Sequence, residues 1–203
     1  SVIVGYSDST DGKRAYKYVD GTMTSLGILS GGSSISLAYA VSSDGSVIVG
    51  YSDSTDGNRA FKYVDGTMTS LGVLPGGIRS KAQGISSDGS VIVGNSYSIE
   101  TENRAFKYVD GTMTNLGALE GSNENGYGSY ATSASSDGSV IVGYSDSTDG
   151  NRAFIYRNVM LDVTNTTTAL ATTGLQLHSI LNYKNNVLSQ SLNANCNVFA
   201  VSY

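Results

Sequence analysis

Internal repetition constrains this chain more than any other feature. The string Ser-Val-Ile-Val-Gly begins at Ser1, Ser46, Ser90 and Ser139, so successive copies lie 45, 44 and 49 residues apart. Residues 1–32 match residues 46–77 except at Lys13/Asn58, Tyr16/Phe61, Ile28/Val73 and Ser30/Pro75. A period of this length must be one supersecondary unit that buries its apolar face against the next copy.

Four strand candidates fall within each period. In the copy around residue 60 they are Ala38–Ser42, Ser46–Tyr51, Arg59–Val64 and Thr67–Leu71. The first pair is joined by Asp44-Gly45 and the last by Asp65-Gly66, with a longer hairpin loop at Asp53–Asn58 between them. Asp-Gly between β-prone runs is a hairpin signature, because Gly takes a positive φ without a Cβ clash. The expected fold is therefore all-β: a β-propeller of four blades, each a four-stranded repeat of about 45 residues. A parallel β-solenoid is the rival, and the paired Asp-Gly turns argue against it because they join antiparallel neighbours.

The pattern sets a propeller domain over 1–163 and a C-terminal region over 164–203. Leu170, Leu177, Leu181, Leu188 and Leu192 are spaced by seven, four, seven and four residues. That spacing predicts one amphipathic helix from about Thr167 to Ser191, weakened in its first half by Thr172, Thr173 and Gly174. Phe199-Ala200-Val201-Ser202 matches Tyr39-Ala40-Val41-Ser42, so a terminal strand is expected to complete the blade begun at Ser1 and close the ring.

Composition excludes several classes. The 203 residues carry a net charge of −5, with only 14% charged residues and no basic cluster, which disfavours nucleic acid as a partner. Cys196 is the only cysteine, so no intrachain disulfide or cysteine-only zinc site can form. The longest apolar runs are four or five residues, far short of a membrane-spanning helix, and no signal peptide is present in this stretch, whose first residue falls in mid-repeat.

Candidate site residues come from the repeats. Arg14, Arg59, Arg104 and Arg152 share one position in all four copies. They could ring a ligand channel, or pair structurally with a turn Asp or an aromatic side chain. Tyr6, Tyr51 and Tyr144 follow the Val-Ile-Val-Gly strand, with Asn95 in the third copy. They could stack on sugars or pack between blades. The loops Asp8–Gly12, Asp53–Gly57 and Asp146–Gly150 each hold two carboxylates beside Gly. Calcium would need more ligands than these supply, so they read as solvated turns and no metal is expected. His178 has no triad partner nearby, and no phosphate loop or paired-acid motif appears, so no catalytic residue and no cofactor is expected. The departures from the repeat, at Asn95–Glu102, Gly121–Tyr130 and beyond Arg157, are where individual function should sit.

The unit Ser-Asp-Gly-Ser-Val-Ile-Val-Gly-Tyr-Ser, then Arg-Ala-Phe-Lys-Tyr and Met-Thr-Ser-Leu-Gly-Val-Leu-Pro-Gly-Gly, resembles the HAF family of extracellular repeats. That family occurs in surface and autotransporter passenger proteins of Gram-negative bacteria. The resemblance covers residues 1 to about 157. The tail from Leu161 to Tyr203, with Asn195-Cys196-Asn197-Val198-Phe199, is similar to the segment linking such passengers to their translocator barrel. On that basis Phe199–Tyr203 would instead open the first barrel strand. The resemblance implies an extracellular or outer-membrane-anchored protein that binds a host or surface protein or a glycan. A homodimer completing a larger ring is a further expectation. A non-enzymatic adhesion domain is the leading reading, with a lectin-like propeller and a hydrolase on a propeller scaffold as alternatives.

Overall fold

The computed structural model describes residues 1–119, 128–147, 150–159 and 196–200. The strands are β1 (Val2–Ser9), β2 (Gly12–Val19), β3 (Thr22–Gly27), β4 (Ser36–Val41), β5 (Val47–Ser52), β6 (Arg59–Val64), β7 (Thr67–Gly72), β8 (Arg79–Ile85), β9 (Ile92–Ser98), β10 (Glu102–Val109), β11 (Thr112–Gly117), β12 (Ser129–Ala134), β13 (Val140–Ser147), β14 (Gly150–Val159) and β15 (Cys196–Ala200). They form four sheets in chain order, β1-β2-β3, β4-β5-β6-β7, β8-β9-β10-β11 and β12-β13-β14-β15. Ser1–Tyr156 form one compact unit. Arg157–Phe199 form a second, of which the end of β14 and most of β15 are described.

The registers follow the turn chemistry. Asp20-Gly21, Asp65-Gly66 and Asp110-Gly111 all have positive φ at both residues (47° at each Asp, 81–84° at the Gly), the two-residue type I′ geometry that matches strand twist. The other Asp-Gly pair makes a different turn. At Asp44-Gly45 only the Gly has positive φ, and the Gly45 N–H donates to the Ser42 carbonyl at 2.9 Å. The Asp44 carboxylate instead accepts from the Ser42 hydroxyl, the Ser46 hydroxyl and the Ser46 N–H. Identical dipeptides thus close two kinds of hairpin, and the flanking serines decide which.

Side-chain alternation sends half of each sheet back onto its predecessor and half forward onto its successor. In the second sheet Ala38, Ile48, Phe61 and Tyr63 face back onto Ala15, Leu26 and Leu29. Val49, Ala60, Leu71 and Leu74 face forward onto Ala82, Ile92 and Phe106 of the third. The next junction repeats the pattern, with Val93, Ala105 and Leu116 against Ala131, Ile141, Phe154 and Tyr156. Each buried Ile or Phe contributes about 1.5–3 kcal/mol, which explains why these positions barely differ between copies.

Buried serines then tie neighbouring sheets together. Ser36, Ser80 and Ser129, at or near the start of β4, β8 and β12, accept the N–H of Ala15, Ala60 and Ala105 at 2.8–3.0 Å. Each hydroxyl also donates to a carbonyl of the preceding sheet, at Gly27, Gly72 and Gly117. A second set, Ser52, Ser96 and Ser145, accepts the N–H of Leu29, Leu74 and Leu119. Such bonds span sheets, so they fix how one unit stacks on the next.

The strands β4, β8 and β12 lie so close to their neighbours that Gly is required opposite them. A Cβ on Gly50, Gly94 or Gly143 would run into the carbonyl oxygen of Leu37, Lys81 or Tyr130. Each of these strands also bulges, at Ala38/Ala40, Ala82/Gly84 and Ala131/Ser133, turning Tyr39, Gln83 and Thr132 out of register.

The expected helix over Thr167–Ser191 lies outside the described residues. The first sheet has three strands, and β15 stands next to β14 in the sheet order. Of the expected ring-closing segment Phe199–Ser202 and the alternative barrel strand Phe199–Tyr203, residues 201–203 are outside the described residues.

Candidate functional site

A pocket of about 320 Å³ opens between the third and fourth sheets. β8 and β9 supply Lys81, Gln83, Asn95 and Tyr97, and β10, β12 and β13 supply Asn103, Tyr130 and Tyr144. Arg79 and Ser80 complete the lining. A chain of side-chain hydrogen bonds crosses it. Gln83 Nε2 donates to Asn95 Oδ1 (3.0 Å), Asn95 Nδ2 to Asn103 Oδ1 (2.6 Å), and Asn103 Nδ2 to the Tyr130 hydroxyl (2.8 Å). Tyr130 in turn stacks on Tyr144, with ring centroids 4.8 Å apart and planes 18° from parallel. Burial raises the Tyr130 hydroxyl above its ordinary range, and the nearby Tyr144, Asp146 and Glu102 push the same way. It therefore stays a neutral hydroxyl at any physiological pH.

Positive charge stands at the same mouth. The Arg79 guanidinium lies 6.0 Å from the Tyr97 ring centroid and the Lys81 ammonium 4.7 Å from that of Tyr51. Tyr51 is tilted against Tyr39 at 5.9 Å. Burial first, then the neighbouring Tyr51 and Tyr6, push the Tyr39 hydroxyl up to about 12. Tyr6 sits under the Lys13 ammonium at 5.5 Å. No carboxylate, histidine or cysteine is among the described residues lining the pocket. The arrangement presents amides, hydroxyls, ring faces and two cations, which suits recognition rather than proton transfer.

The sequence-selected tyrosines divide. Tyr144 lines the pocket, Tyr51 adjoins it through Lys81, and Tyr6 lies on the first sheet away from it. Tyr6 and Tyr144 are both well exposed rather than packed between sheets. Three of the four repeat arginines bind backbone carbonyls. Arg14 donates to the carbonyls of Ser33 and Ser34, and Arg59 to that of Ile78. Arg104 donates to the Asn103 carbonyl, and Arg152 is exposed on β14. Where Arg14 holds the Ser33–Ser34 carbonyls, Asp53 accepts the N–H groups of Ser33, Ser34 and Ile35 at 2.8–3.1 Å. Burial alone would raise the Asp53 carboxyl, but those three donors outweigh it and hold it below the ordinary value. The loop carboxylates are thus structural anchors: Asp8 pairs with Lys13 at 2.9 Å and Asp146 accepts the Gly128 N–H.

Lys81, Gln83, Asn103 and Tyr130 were not singled out from sequence. Lys81, Gln83 and Tyr130 occupy positions where the copies disagree, Lys81 aligning with Leu37 and Tyr130 and Gln83 with Tyr39 and Thr132, whereas Asn103 recurs as Asn58 and Asn151 and differs only from Lys13. Disagreement among otherwise near-identical repeats was the available signal.

Antiparallel sheets of repeat length, stacked in chain order, define an all-β, β-propeller-like protein. Solved structures agree on the fold: the chain is similar to TolB from Acinetobacter baumannii (14% identity, TM-score 0.53, covering 77% of this chain and 39% of that one). It is also similar to the putative TolB from Agrobacterium tumefaciens (17% identity, TM-score 0.52, covering 77% and 58%). The chain thus spans between two fifths and three fifths of these structures. No protein-family model matches it, and no curated protein does.

Proposed function

We propose that this chain is a non-enzymatic binding domain whose ligand site is the pocket between its third and fourth sheets. The observation that carries this is the Gln83–Asn95–Asn103–Tyr130 hydrogen-bond chain ending on the Tyr130–Tyr144 stack. Gln83, Asn95 and Tyr130 stand at positions where the repeats stop agreeing, and scaffold alone gives no reason for that difference, while Asn103 recurs as Asn58 and Asn151. Around it we read a four-bladed propeller, supported by three equivalent inter-sheet cores, with the Leu-rich tail as an amphipathic helix. The resemblance to HAF repeats supports surface display and adhesion, with a translocator barrel beyond the tail.

Among ligands, a glycan suits the lining best. Pyranose faces stack on tyrosine rings and their hydroxyls exchange hydrogen bonds with Asn and Gln side chains. A hydrolase would need a positioned acid and base, which the described lining lacks. Glycan-array binding with wild type, Tyr144→Ala and Tyr6→Ala tests the reading. Loss of a bound glycan in Tyr144→Ala with retention in Tyr6→Ala is expected. Equal binding by all three would remove the pocket from the argument, and clear turnover in a glycosidase screen would overturn the non-enzymatic assignment.

A further inference from the structure

Two residues of the pocket lining, Arg79 and Lys81, have no part in stacking a neutral sugar. They lie two apart on β8, in unbroken register with Tyr97 and Asn95 of β9, so both side chains leave the same face of the strand. Between them stands Ser80, which the repeat keeps as Ser36 and Ser129. The equivalents of Arg79 are Ile35 and Gly128, and those of Lys81 are Leu37 and Tyr130, so the other two copies of this strand hold no charge there. The bonds that stack one sheet on the next run through the serine. Stacking accounts for Ser80 and not for the cations beside it.

These two charges also differ from other cations of the chain in what they touch. Lys13 pairs with Asp8, and Arg14, Arg59 and Arg104 donate to backbone carbonyls. Among the described residues, the Arg79 guanidinium and the Lys81 ammonium meet the rings of Tyr97 and Tyr51 instead. A ring face holds a cation in place while leaving its N–H groups available as donors. Arg79 is exposed and Lys81 half-buried, on a sheet with a neighbour packed against each side. Asp146 and Glu102 are the carboxylates felt at the pocket, and they raise the Tyr130 hydroxyl. Asp146 already accepts the Gly128 N–H, and neither acid forms an ion pair with Arg79 or Lys81.

On the footing that this pocket is the ligand site, we infer that it takes an anionic glycan, a sugar bearing a carboxylate or sulfate group. Arg79 and Lys81 hold the anion and the Tyr144 ring takes the sugar face. The chain as a whole carries a net charge of −5, so its long-range field repels anions. A described lining with two cations and no carboxylate reverses that field locally. The guanidinium fork matches two oxygens of a carboxylate or sulfate, and the ammonium adds a point charge beside it. The Gln83 and Asn103 amides remain for the sugar hydroxyls.

A glycan array on the full chain tests this, with uronic-acid, sialic-acid-terminated and sulfated oligosaccharides beside their neutral counterparts. Calorimetry then measures the affinity of each matched pair. The acidic member should bind at least about tenfold more tightly than the neutral one, and the array's separate arms tell carboxylate from sulfate. Lys81→Gln and Arg79→Gln should each weaken the acidic ligand about 10- to 100-fold and flatten its salt dependence, whereas Lys81→Arg should retain it. Lys62→Gln makes the same change of net charge outside the lining and should leave affinity unchanged. Circular dichroism checks that every variant folds. Equal binding of neutral and acidic partners, lost in Tyr144→Ala, would overturn the charge and keep the pocket. Acidic binding untouched by Tyr144→Ala, Lys81→Gln and Arg79→Gln would overturn both, as would an array with no glycan bound.

Discussion

Replacing Ser80 by Ala tests the stacking of sheets at a single oxygen. The Ser80 hydroxyl bridges two groups of the second sheet, accepting the Ala60 N–H at 2.8 Å and donating to the Gly72 carbonyl at 2.5 Å. Ala60 and Gly72 are direct partners in the β6–β7 register, next to the shift at Ala60/Phe61. The hydroxyl therefore stands where a ladder bond would otherwise run. Ser80 and Ala60 are both buried, so Ser80→Ala leaves a donor and an acceptor without partners. An orphaned buried polar group costs about 1–3 kcal/mol. Because the carbonyl side is only partly buried, the pair together should cost about 2–4 kcal/mol. For a chain of this size that lowers Tm by about 2–4 °C per kcal/mol. Urea unfolding followed by circular dichroism measures it, with Ser25→Ala, at an exposed serine on β3, as the reference. A loss below about 0.5 kcal/mol would refute the reasoning, for it would mean that β6 and β7 close up and satisfy each other. Ser36→Ala and Ser129→Ala should behave alike, since their bonds are equivalent.

Two glycines separate steric need from conformational need. Gly66 has φ +81° with open space around it, so Gly66→Ala should cost about 1–2 kcal/mol in chemical denaturation. A Cβ on Gly94 would meet the Lys81 carbonyl, so Gly94→Ala should cost more than Gly66→Ala; the reverse order would show that β8 can move away. Acid should loosen the Ser-Asp-Gly-Ser turns. Hydrogen bonds from flanking serines hold Asp44 and Asp137 down to about 2 and lower Asp88 as well. A depressed carboxyl contributes stability that is present above its unfolded value, about 3.9, and lost as pH falls through the folded one. Tm should therefore fall below about pH 4 and level off only below about pH 2, and an Asp44→Asn, Asp88→Asn, Asp137→Asn variant should show a flatter profile over that range.

The strands and sheet boundaries were legible because near-identical copies repeat the same alternation of buried residues. Val49 and Ala60 forward, Ile48 and Phe61 backward, can be read from the periodicity of one copy once β is assumed. The two Asp-Gly turns were legible as hairpins but not as different hairpins, since the distinction lies in Ser42 and Ser46, whose hydroxyls reach Asp44. Buried serines were not legible at all. Ser36 and Ser52 look like surface residues by composition, and only the stacking of sheets reveals the backbone groups they satisfy. At the candidate site, Asn95 and Tyr144 were visible in sequence. Lys81, Gln83, Asn103 and Tyr130 required the strands to be placed side by side.

Repetition and its failure therefore mark different things in this chain. A position kept in every copy, as the isoleucine of Ile48, Ile92 and Ile141 is, reports the packing of one sheet on its predecessor. A position that changes between copies while remaining well packed and hydrogen-bonded reports something else. Asn95 is buried and bonded on both sides, yet its counterparts are tyrosines. The site is more enclosed than its counterparts, since Tyr6 and Tyr144 are exposed where Asn95 is buried. What Asn95 adds is a link from Gln83 to Asn103, and through it a fixed orientation for the Tyr130 hydroxyl. Asn95→Tyr, which restores the repeat, should therefore cost about 1–3 kcal/mol in chemical denaturation by overpacking a buried position, while breaking the network that orders the pocket. Equal glycan binding by Asn95→Tyr and wild type would separate the network from recognition and leave the tyrosine stack as its sole support.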